Sequence, residues 1–333
     1  MLVNQTFQQK RRILERANMR AKMLIPPNWV QEVEAELKAR GLDVELVEYD
    51  RNRTGPFPGV EIFFRGEGAE AWTQALANAP DVKWFHTTSA GVDGIISHTR
   101  PRGIILTNSG EVYRSCIGEF VLGLMLYAAR RLGEFHDQTR ARVWRHLKQS
   151  ELQGKVVGII GLGPIGLGVA ERAAALGMRI IGARRVPEPL EMVTDVVSGD
   201  NLGMLLSESD FVVLACPLTS RTRGMINAAA FAQMKPTAWL INIARGALVD
   251  TNALVDALRE GRIAGACLDV TDPEPLPPEH PLWGFPNVLI TSHCASGSTD
   301  ELQRRKVEPL VSNLERYLSA QPLCGLVDYE REY

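Results

Sequence analysis

The sequence predicts an α/β protein with two doubly wound parallel sheets in succession along the chain, and three observations carry that reading. Short strand-like segments alternate with helical ones from residue 22 to residue 106, and again from 156 to 291. Between the apolar run Val156–Ile160 and the alanine-rich run Val169–Leu176, Gly161, Gly163 and Gly166 stand in G-x-G-x-x-G spacing. A last amphipathic run, Thr299–Leu318, follows the second series with no strand after it, so it is read as crossing back to the first unit.

In the first series, Lys22–Ile25 reads as a strand, and 26–28 as a turn. Trp29–Arg40 reads as a helix with Val30, Val33 and Leu37 on one face, stopped by Gly41. Val44–Tyr49 is a second strand, and 51–59, with two prolines and two glycines, is a loop. Val60–Phe64, Val82–Thr87 and Ile104–Leu106 are the remaining strands, with a helix over Ala69–Asn78. The small residues Ser89-Ala90-Gly91-Val92-Asp93 follow a strand's C-terminal end, the edge at which open parallel sheets bind ligands. Cys116–Arg131 reads as a buried helix joining two domains.

The second series contains six strands: Val156–Ile160, Arg179–Ala183, Phe211–Ala215, Trp239–Asn242, Ala264–Asp269 and Val288–Thr291. Crossovers separate them, with helices over Ala228–Met234 and Asn252–Arg259, which implies right-handed connections. The expected domains are 21–112 plus 300–333, and 113–299, preceded by an extension over 1–20.

At the head of the second series, a buried strand turns sharply into a helix, an arrangement that aims backbone N–H groups and the helix dipole at a pyrophosphate. Gly161 allows the turn, Gly163 lets a phosphate approach the backbone, and Gly166 lets helix and strand pack closely. Pro164 and Ile165 complete the stretch, and Pro164 suits the first helical turn, where its missing N–H costs nothing. The glycines fix a dinucleotide but not which one. A carboxylate about 20 residues on would hold the ribose hydroxyl of NAD. Arg184 and Arg185 stand there instead, with no acid until Glu188, and two guanidiniums suit the 2′-phosphate of NADP. The bland alternative is a solvated basic turn.

Composition bounds the rest. Over 333 residues, 45% are hydrophobic and 23% charged, as in a globular protein with a sizeable core. A net charge of −2 gives no electrostatic case for nucleic acid or an anionic membrane. The five cysteines show no C-x-x-C pair and no metal-ligand spacing, so they read as reduced thiols in a cytoplasmic protein. No apolar run is expected to reach the length of a membrane span. Lys10, Arg11, Arg12, Arg16 and Arg20 crowd the start of the chain beside one acid, Glu15. They read as a solvated extension, or as residues before a true start at Met19 or Met23, with a transit peptide as the rival.

Three residues leave strand ends on the same edge as the glycine loop. Arg245 follows Trp239–Asn242 in a tight Ala-Arg-Gly turn, Glu274 sits in the proline-rich loop 272–281, and His293 follows Val288–Thr291. Reducing a 2-keto acid needs a cation on the carbonyl and carboxylate, an acid to protonate the new alkoxide, and a hydride donor. Arg245 suits the first role and His293 the second. Glu274, placed near His293, would orient its ring. The competing reading is structural: Arg245 and Glu274 as an ordinary ion pair and His293 as a satisfied turn histidine.

With these residues in view, the sequence resembles the D-isomer-specific 2-hydroxyacid dehydrogenases, from Met23 to about Leu318. The ordered motifs are SAGVD at 89–93, GLGPIG at 161–166, CPLT at 216–219, MKPTAWLINIARGALVD at 234–250, LDVTDPEPLP at 268–277, PLWGFPNVLITSH at 281–293 and ASGST at 295–299. The resemblance implies a Rossmann-type dinucleotide-binding domain and a smaller flavodoxin-like substrate domain. It implies hydride transfer between NAD(P)H and a small 2-keto or D-2-hydroxy acid, with Arg245, Glu274 and His293 as catalytic residues and His293 as proton donor. It places the substrate carboxylate on the amides of Ala90, Gly91 and Val92, and Asp269 at the nicotinamide end. Cys216, Pro217, Thr222, Ile243, Ala244, His293 and Ser296 would line the cofactor. It also implies a homodimer with residues 114–150 at the interface.

Arg184 in place of the usual acid is like NADP-preferring members such as glyoxylate/hydroxypyruvate reductases, which makes glyoxylate or hydroxypyruvate the leading substrates and NAD the second choice of cofactor. Ser292 stands where proline often precedes the histidine, and Ser296 where glycine is common. The pocket contributors Arg65, Tyr113 and Arg114 match no substrate signature. Two rivals remain at this point: a dinucleotide-sensing corepressor on the same fold, and oxidation of formate or phosphite at a related site.

Overall fold

A computed structural model describes residues 20–297 and 299–333. The N-terminal extension and its targeting alternative fall almost wholly on 1–19, outside the described residues, as does Ser298 of the ASGST motif. The chain divides into two compact units, Met1–Val112 with Thr299–Tyr333, and Tyr113–Ser298.

The first unit is built from β1 (Ala21–Ile25), α1 (Val30–Ala39), β2 (Val44–Glu48), β3 (Ile62–Arg65), α2 (Trp72–Ala77), β4 (Trp84–Thr87), α3 (Asp93–Thr99) and β5 (Ile105–Asn108). Its sheet is parallel with order β2-β1-β3-β4-β5, the flavodoxin-like winding expected. Both faces are covered, which is why its central strands read as continuous apolar runs. One face packs Met23, Ile25 and Phe64 against Val33 and Leu37 of α1 and against Val307, Leu310 and Leu314. Those last three lie on the C-terminal helix Asp300–Leu318, whose N-cap Thr299 accepts a hydrogen bond from the Leu302 amide. Arg40, at the end of α1, ion-pairs with Glu308 and Glu315 of that helix.

Several boundaries differ from the sequence expectation. The third strand starts at Ile62 rather than Val60, the 69–78 helix contracts to Trp72–Ala77, and the fifth strand runs on to Asn108. Helix α3 was not anticipated, because seven residues give too short a window for a helical period to register.

His86 is fully buried in the middle of β4. Its Nδ1 lies 2.7 Å from Thr107 Oγ1 and its Nε2 3.0 Å from Ser109 Oγ, while Trp84 Nε1 donates to the same Thr107 oxygen. A neutral ring satisfies this arrangement, and burial lowers the His86 pKa from 6.5 to about 3. The unfolded chain therefore takes up a proton below about pH 6.5 that the fold refuses until about pH 3, and stability falls as pH drops through that window. Between pH 6.5 and 5 the expected loss is about 2 kcal/mol. Urea denaturation at pH 7 and pH 5 should show this extra loss in the wild type and not in His86→Gln; equal pH dependence in both would refute it.

The second unit contains α4 (Arg114–Ala129), α5 (Leu132–Ala141), β6 (Val156–Ile160), α6 (Pro164–Ala175), β7 (Arg179–Arg184), β8 (Asp195–Ser198), α7 (Gly203–Glu208) and β9 (Phe211–Leu214). It continues through α8 (Ala228–Phe231), β10 (Trp239–Asn242), α9 (Thr251–Arg259), β11 (Gly265–Leu268) and β12 (Val288–Ile290); the C-terminal helix, α10, returns to the first unit. The parallel sheet has order β12-β11-β10-β9-β6-β7-β8, a Rossmann winding that reverses between β6 and β9. It has seven strands, not six. The addition, β8, is an edge strand of four half-buried residues beginning with Asp195, too short and polar to stand out in sequence.

Helix α6 begins at Pro164, in the first-turn position expected for it, and runs on through Gly166 and Gly168 because tertiary packing overrides their poor helix propensity. A Cβ on Gly118 of α4 would meet the Gly168 carbonyl at 2.6 Å, so both glycines serve a close helix crossing. Arg172 bolts this crossing, donating to Gly168 O and Ser115 Oγ at 3.0 and 2.8 Å, and Arg114 pairs with Glu171. One expectation needs correcting: Gly110–Ala129, with 20 residues and mean hydropathy 1.3, is long and apolar enough to cross a membrane. In the fold, Ile117, Val121, Leu124, Met125, Ala128 and Ala129 of this stretch are buried.

Candidate active site

The C-terminal edge of the second sheet collects most of the residues singled out above. At the end of β6, Gly161 takes φ +103°, and a Cβ there would meet the backbone of Ala215 and Cys216 at 2.6 Å. Gly166 lies so close to the Gly161 carbonyl that no side chain fits. Gly163 differs: nothing of the chain lies within 4 Å of a Cβ built on it. It is the N-cap of α6 and brings no side-chain cap to the helix amides, while Pro164 and Ile165 form the first turn. An open, uncapped helix N-terminus beside a side-chain-free position fits the pyrophosphate of a dinucleotide.

Arg184 ends β7 half-buried, its Nη1 3.5 Å from Glu188, and the exposed Arg185 follows. After β9, Thr222 donates from Oγ1 to Pro217 O at 2.7 Å and accepts from the Thr219 amide at 2.8 Å, so its hydroxyl closes the 216–222 loop. Burial pushes the Cys216 thiol up to about 12, which keeps it protonated.

Asn242, buried at the end of β10, sets the next turn. Its Oδ1 accepts from the Ala244 amide at 3.1 Å and its Nδ2 donates to Arg245 O at 2.9 Å, an Asx turn that fixes Ile243, Ala244 and Arg245. Gly246 follows, packed so tightly on the Thr271 carbonyl that a side chain is excluded. The Arg245 turn thus abuts the loop that carries Glu274. That loop is tied down by Thr251 Oγ1 donating to Asp272 O at 3.0 Å and Thr271 Oγ1 donating to Pro273 O at 2.8 Å.

His293 Nδ1 lies 2.6 Å from Glu274 Oε1, so the two side chains expected to pair do meet. Both side chains are about half exposed, and the contact with Glu274 is made through Nδ1. His293 adopts φ +52°, a left-handed conformation costing roughly 1–2 kcal/mol for a side-chain-bearing residue. Asp269, only 1% exposed, holds it there. Its Oδ1 accepts from Thr291 Oγ1 at 2.6 Å and the Cys294 amide at 2.9 Å, its Oδ2 from the Ala295 amide at 2.9 Å, and its carbonyl from the His293 amide at 2.8 Å. Both oxygens of the residue expected at the nicotinamide end are therefore engaged in shaping the 291–295 turn. Ser296, at the end of that turn, is half-buried.

In the first unit, the 89–92 loop leaves β4. Asn108 Nδ2 donates to Ala90 O at 3.2 Å, and the Val92 carbonyl accepts from the Ile95 and Ile96 amides of α3. The carbonyls are thus turned inward, while the amides of Ala90, Gly91 and Val92 donate to no described atom. Three free N–H groups at a strand's C-terminal end suit a carboxylate.

Asn108, Asn242 and Thr291 went unnoticed in the sequence. The asparagines had a legible signal, each ending a strand just before a small-residue turn; Thr291 had none.

The family model describing the NAD-binding domain of D-isomer-specific 2-hydroxyacid dehydrogenases matches residues 122–295. A glyoxylate reductase of Thermofilum pendens is 40% identical over 267 residues, covering 77% of this chain and 78% of that protein. Among solved structures, a D-isomer-specific 2-hydroxyacid dehydrogenase from Xanthobacter autotrophicus, in complex with NADPH and MES, superposes with TM-score 0.82 at 31% identity over 95% of this chain and 100% of that one. An NADPH-dependent glyoxylate/hydroxypyruvate reductase from Sinorhizobium meliloti, in complex with NADP and sulfate, gives TM-score 0.82 at 27% identity over the same shares.

Proposed function

The chain belongs to the D-isomer-specific 2-hydroxyacid dehydrogenase family, and from that premise we propose which of its residues carry the reaction. It is an NAD(P)-dependent oxidoreductase acting on a small 2-keto acid. When bound, the reduced dinucleotide supplies the hydride. Gly161, Gly163 and the first turn of α6 hold its pyrophosphate, so the second unit is the dinucleotide-binding domain and the first the substrate domain. The amides of Ala90, Gly91 and Val92 take the substrate carboxylate. Arg245 neutralises charge on the carbonyl oxygen, and His293 delivers the proton that completes the alcohol. Glu274 fixes the imidazole so that Nε2 faces the substrate. The observation that carries this reading is the 2.6 Å His293–Glu274 pair on a turn shaped by buried Asp269. Glyoxylate and hydroxypyruvate, named for similar reductases, are the first substrates to test.

NADP is the preferred cofactor in this proposal, supported by Arg184 and Arg185 where an NAD site carries an acid. The Glu188 carboxylate, 3.5 Å from Arg184 and largely exposed, is a weak competitor for a phosphate. A panel of 2-keto acids with NADPH and NADH tests function and cofactor together. We expect turnover with NADPH favoured, and a fall of roughly ten- to a hundredfold in that preference for Arg184→Ala/Arg185→Ala, as for losing charge-assisted hydrogen bonds. No turnover of any 2-keto acid would sink the function; preference for NADH would sink the cofactor assignment.

The homodimer belongs to the same proposal. Trp144 is 96% exposed and Val143 and Leu132 49% each. Yet the backbone around them is tied down, with Val143 N donating to Gln138 O at 2.9 Å and Arg131 to Lys148 O at 3.3 Å. An ordered arm presenting apolar side chains fits a subunit interface. Sedimentation should give twice the 36.8 kDa chain mass, shifting toward one chain for Trp144→Ser; a single-chain mass at micromolar concentration would rule the dimer out. A cytoplasmic setting belongs to the same proposal, supported by five cysteines scattered without a C-x-x-C pair.

A further inference from the structure

Asn108, the last residue of β5, is held from several sides at once. Within the sheet it lies opposite Thr87 of β4. On its other side β5 is the edge of the sheet, and there the chain's own C-terminal segment closes over it. Asn108 N donates to Gly325 O at 3.0 Å, Val327 N donates to Leu106 O at 2.9 Å, and Leu326 pairs antiparallel with Thr107. The Asn108 side chain then bridges two turns: its Oδ1 accepts from the Gly110 amide at 3.0 Å and its Nδ2 donates to Ala90 O at 3.2 Å. We propose that the C-terminal strap 324–327, acting through Asn108, positions the Gly91 amide for the substrate, so that residues remote from the reacting atoms set the affinity for the 2-keto acid. This rests on the reading of the 90–92 amides as the carboxylate site.

The first support is the geometry of one peptide unit. A trans peptide is planar, so its C=O and N–H point in opposite directions. With the Ala90 oxygen bound to Asn108, the Gly91 N–H faces the other way, toward the side assigned to the carboxylate. Rotation of this unit would turn the Ala90 oxygen on the carboxylate, oxygen against oxygen. Glycine opposes such a rotation less than any other residue, so the unit needs an external hold.

The second is the closeness of the strap. Gly325 takes φ +66°, and a Cβ on it would meet the Asn108 carbonyl oxygen at 2.5 Å. Glycine alone permits this approach, so main chain grips Asn108 on both sides. The strap is itself fastened at both ends. Asn313, buried on α10, accepts from Cys324 N at 2.8 Å and donates to Cys324 O at 2.9 Å, while Val327 is buried in the same cluster as Phe85 and Leu106. Leu326 between them is 56% exposed, so backbone pairing rather than burial of that side chain holds the middle.

The third lies in the residues flanking Asn108. Thr107 and Ser109 both meet the buried His86 ring, and the alternation of a strand puts the Asn108 side chain on the opposite face, where the 89–92 loop runs. A strand end at a sheet edge is otherwise among the first places to open.

The test is steady-state kinetics with the better reduced dinucleotide and the best 2-keto acid, with dinucleotide affinity from fluorescence and a melting temperature for each variant. Asn108→Ala and Gly325→Ala should raise KM by about tenfold or more, as for a lost hydrogen bond to a charged group, with kcat and the dinucleotide dissociation constant within about threefold of wild type. Asn108→Asp should raise KM further than Asn108→Ala, because its carboxylate keeps the Gly110 contact but sets an oxygen against Ala90 O. Val33→Ala, a core substitution on α1 of the same unit, is the control: it should lower the melting temperature and leave KM unchanged. Should Gly325→Ala not fold, Val327→Ala, which loosens the strap without a clash, decides in its place and must raise KM by at least about threefold. An unchanged KM in the Asn108 or strap variants, an equal rise in Val33→Ala, or a matching loss of kcat and dinucleotide affinity would overturn the proposal. Absence of wild-type turnover on every 2-keto acid would instead overturn the function it rests on.

Discussion

His293→Gln should lower kcat by at least ~10²-fold while changing the dinucleotide dissociation constant by less than about threefold. A positioned general acid contributes ~10²–10⁴, and glutamine can neither give nor take the proton at the working pH. The side chain is half exposed and, among the described residues, its ring bonds to Glu274, so the substitution leaves the core of the second unit untouched. Glutamine can keep a hydrogen bond to Glu274, which separates loss of the proton from collapse of the loop. Glu274→Gln should cost less, because imidazole remains and only its orientation loosens. Steady-state kinetics with dinucleotide titration by fluorescence decides. Wild-type turnover in His293→Gln would remove His293 from the reaction.

Asp269→Asn is expected to cost about a hundredfold in kcat, although Asp269 need not touch the substrate. Its two oxygens accept from Thr291, Cys294 and Ala295, and an amide must present an NH₂ group to at least one of these donors. The turn then loses a charge-assisted bond in a buried setting and gains a donor facing a donor. What that turn supports is a histidine at φ +52°, a conformation that persists only while the surroundings enforce it. Displacement by about 1 Å is enough for a loss of ~10². The binding readout separates two roles. If Asp269 acts through His293, kcat falls and dinucleotide affinity changes little. If it instead contacts the nicotinamide, as the family resemblance implied, the dissociation constant rises by a comparable factor.

Both predictions concern one turn, and the sequence disclosed only part of it. Glu274 and His293 could be picked out as chemically apt residues at strand ends. Their 2.6 Å approach could not, because they are 19 positions apart on different loops. Asp269 was legible as a strand-terminal acid, but its role depends on three donors that come within reach only when β11 and β12 pair. Similarly, Asn242 and Asn108 each end a strand before a small-residue turn. What they do there, fixing Arg245 and turning the Ala90 carbonyl inward, follows from backbone geometry that composition does not carry.

The fold itself was largely legible. Two series of short apolar strands separated by crossovers permit few arrangements, and the winding order follows from connections that keep one hand. The misses were local: the edge strand β8, several element boundaries in the first unit and several short helices, all places where neighbouring elements decide the conformation more than propensity does.

By itself, then, the sequence determined the fold class, the dinucleotide loop and the residue types available for hydride chemistry, because periodicity, glycine spacing and side-chain chemistry are properties of the chain. Only the tertiary structure decided which of those residues act together. The His293–Glu274 contact and the grip of Asp269 on a left-handed histidine both arise between segments distant in sequence. The reason is physical: hydrogen bonds and charge interactions depend on separations of a few ångströms, and only the packed strand ends set those.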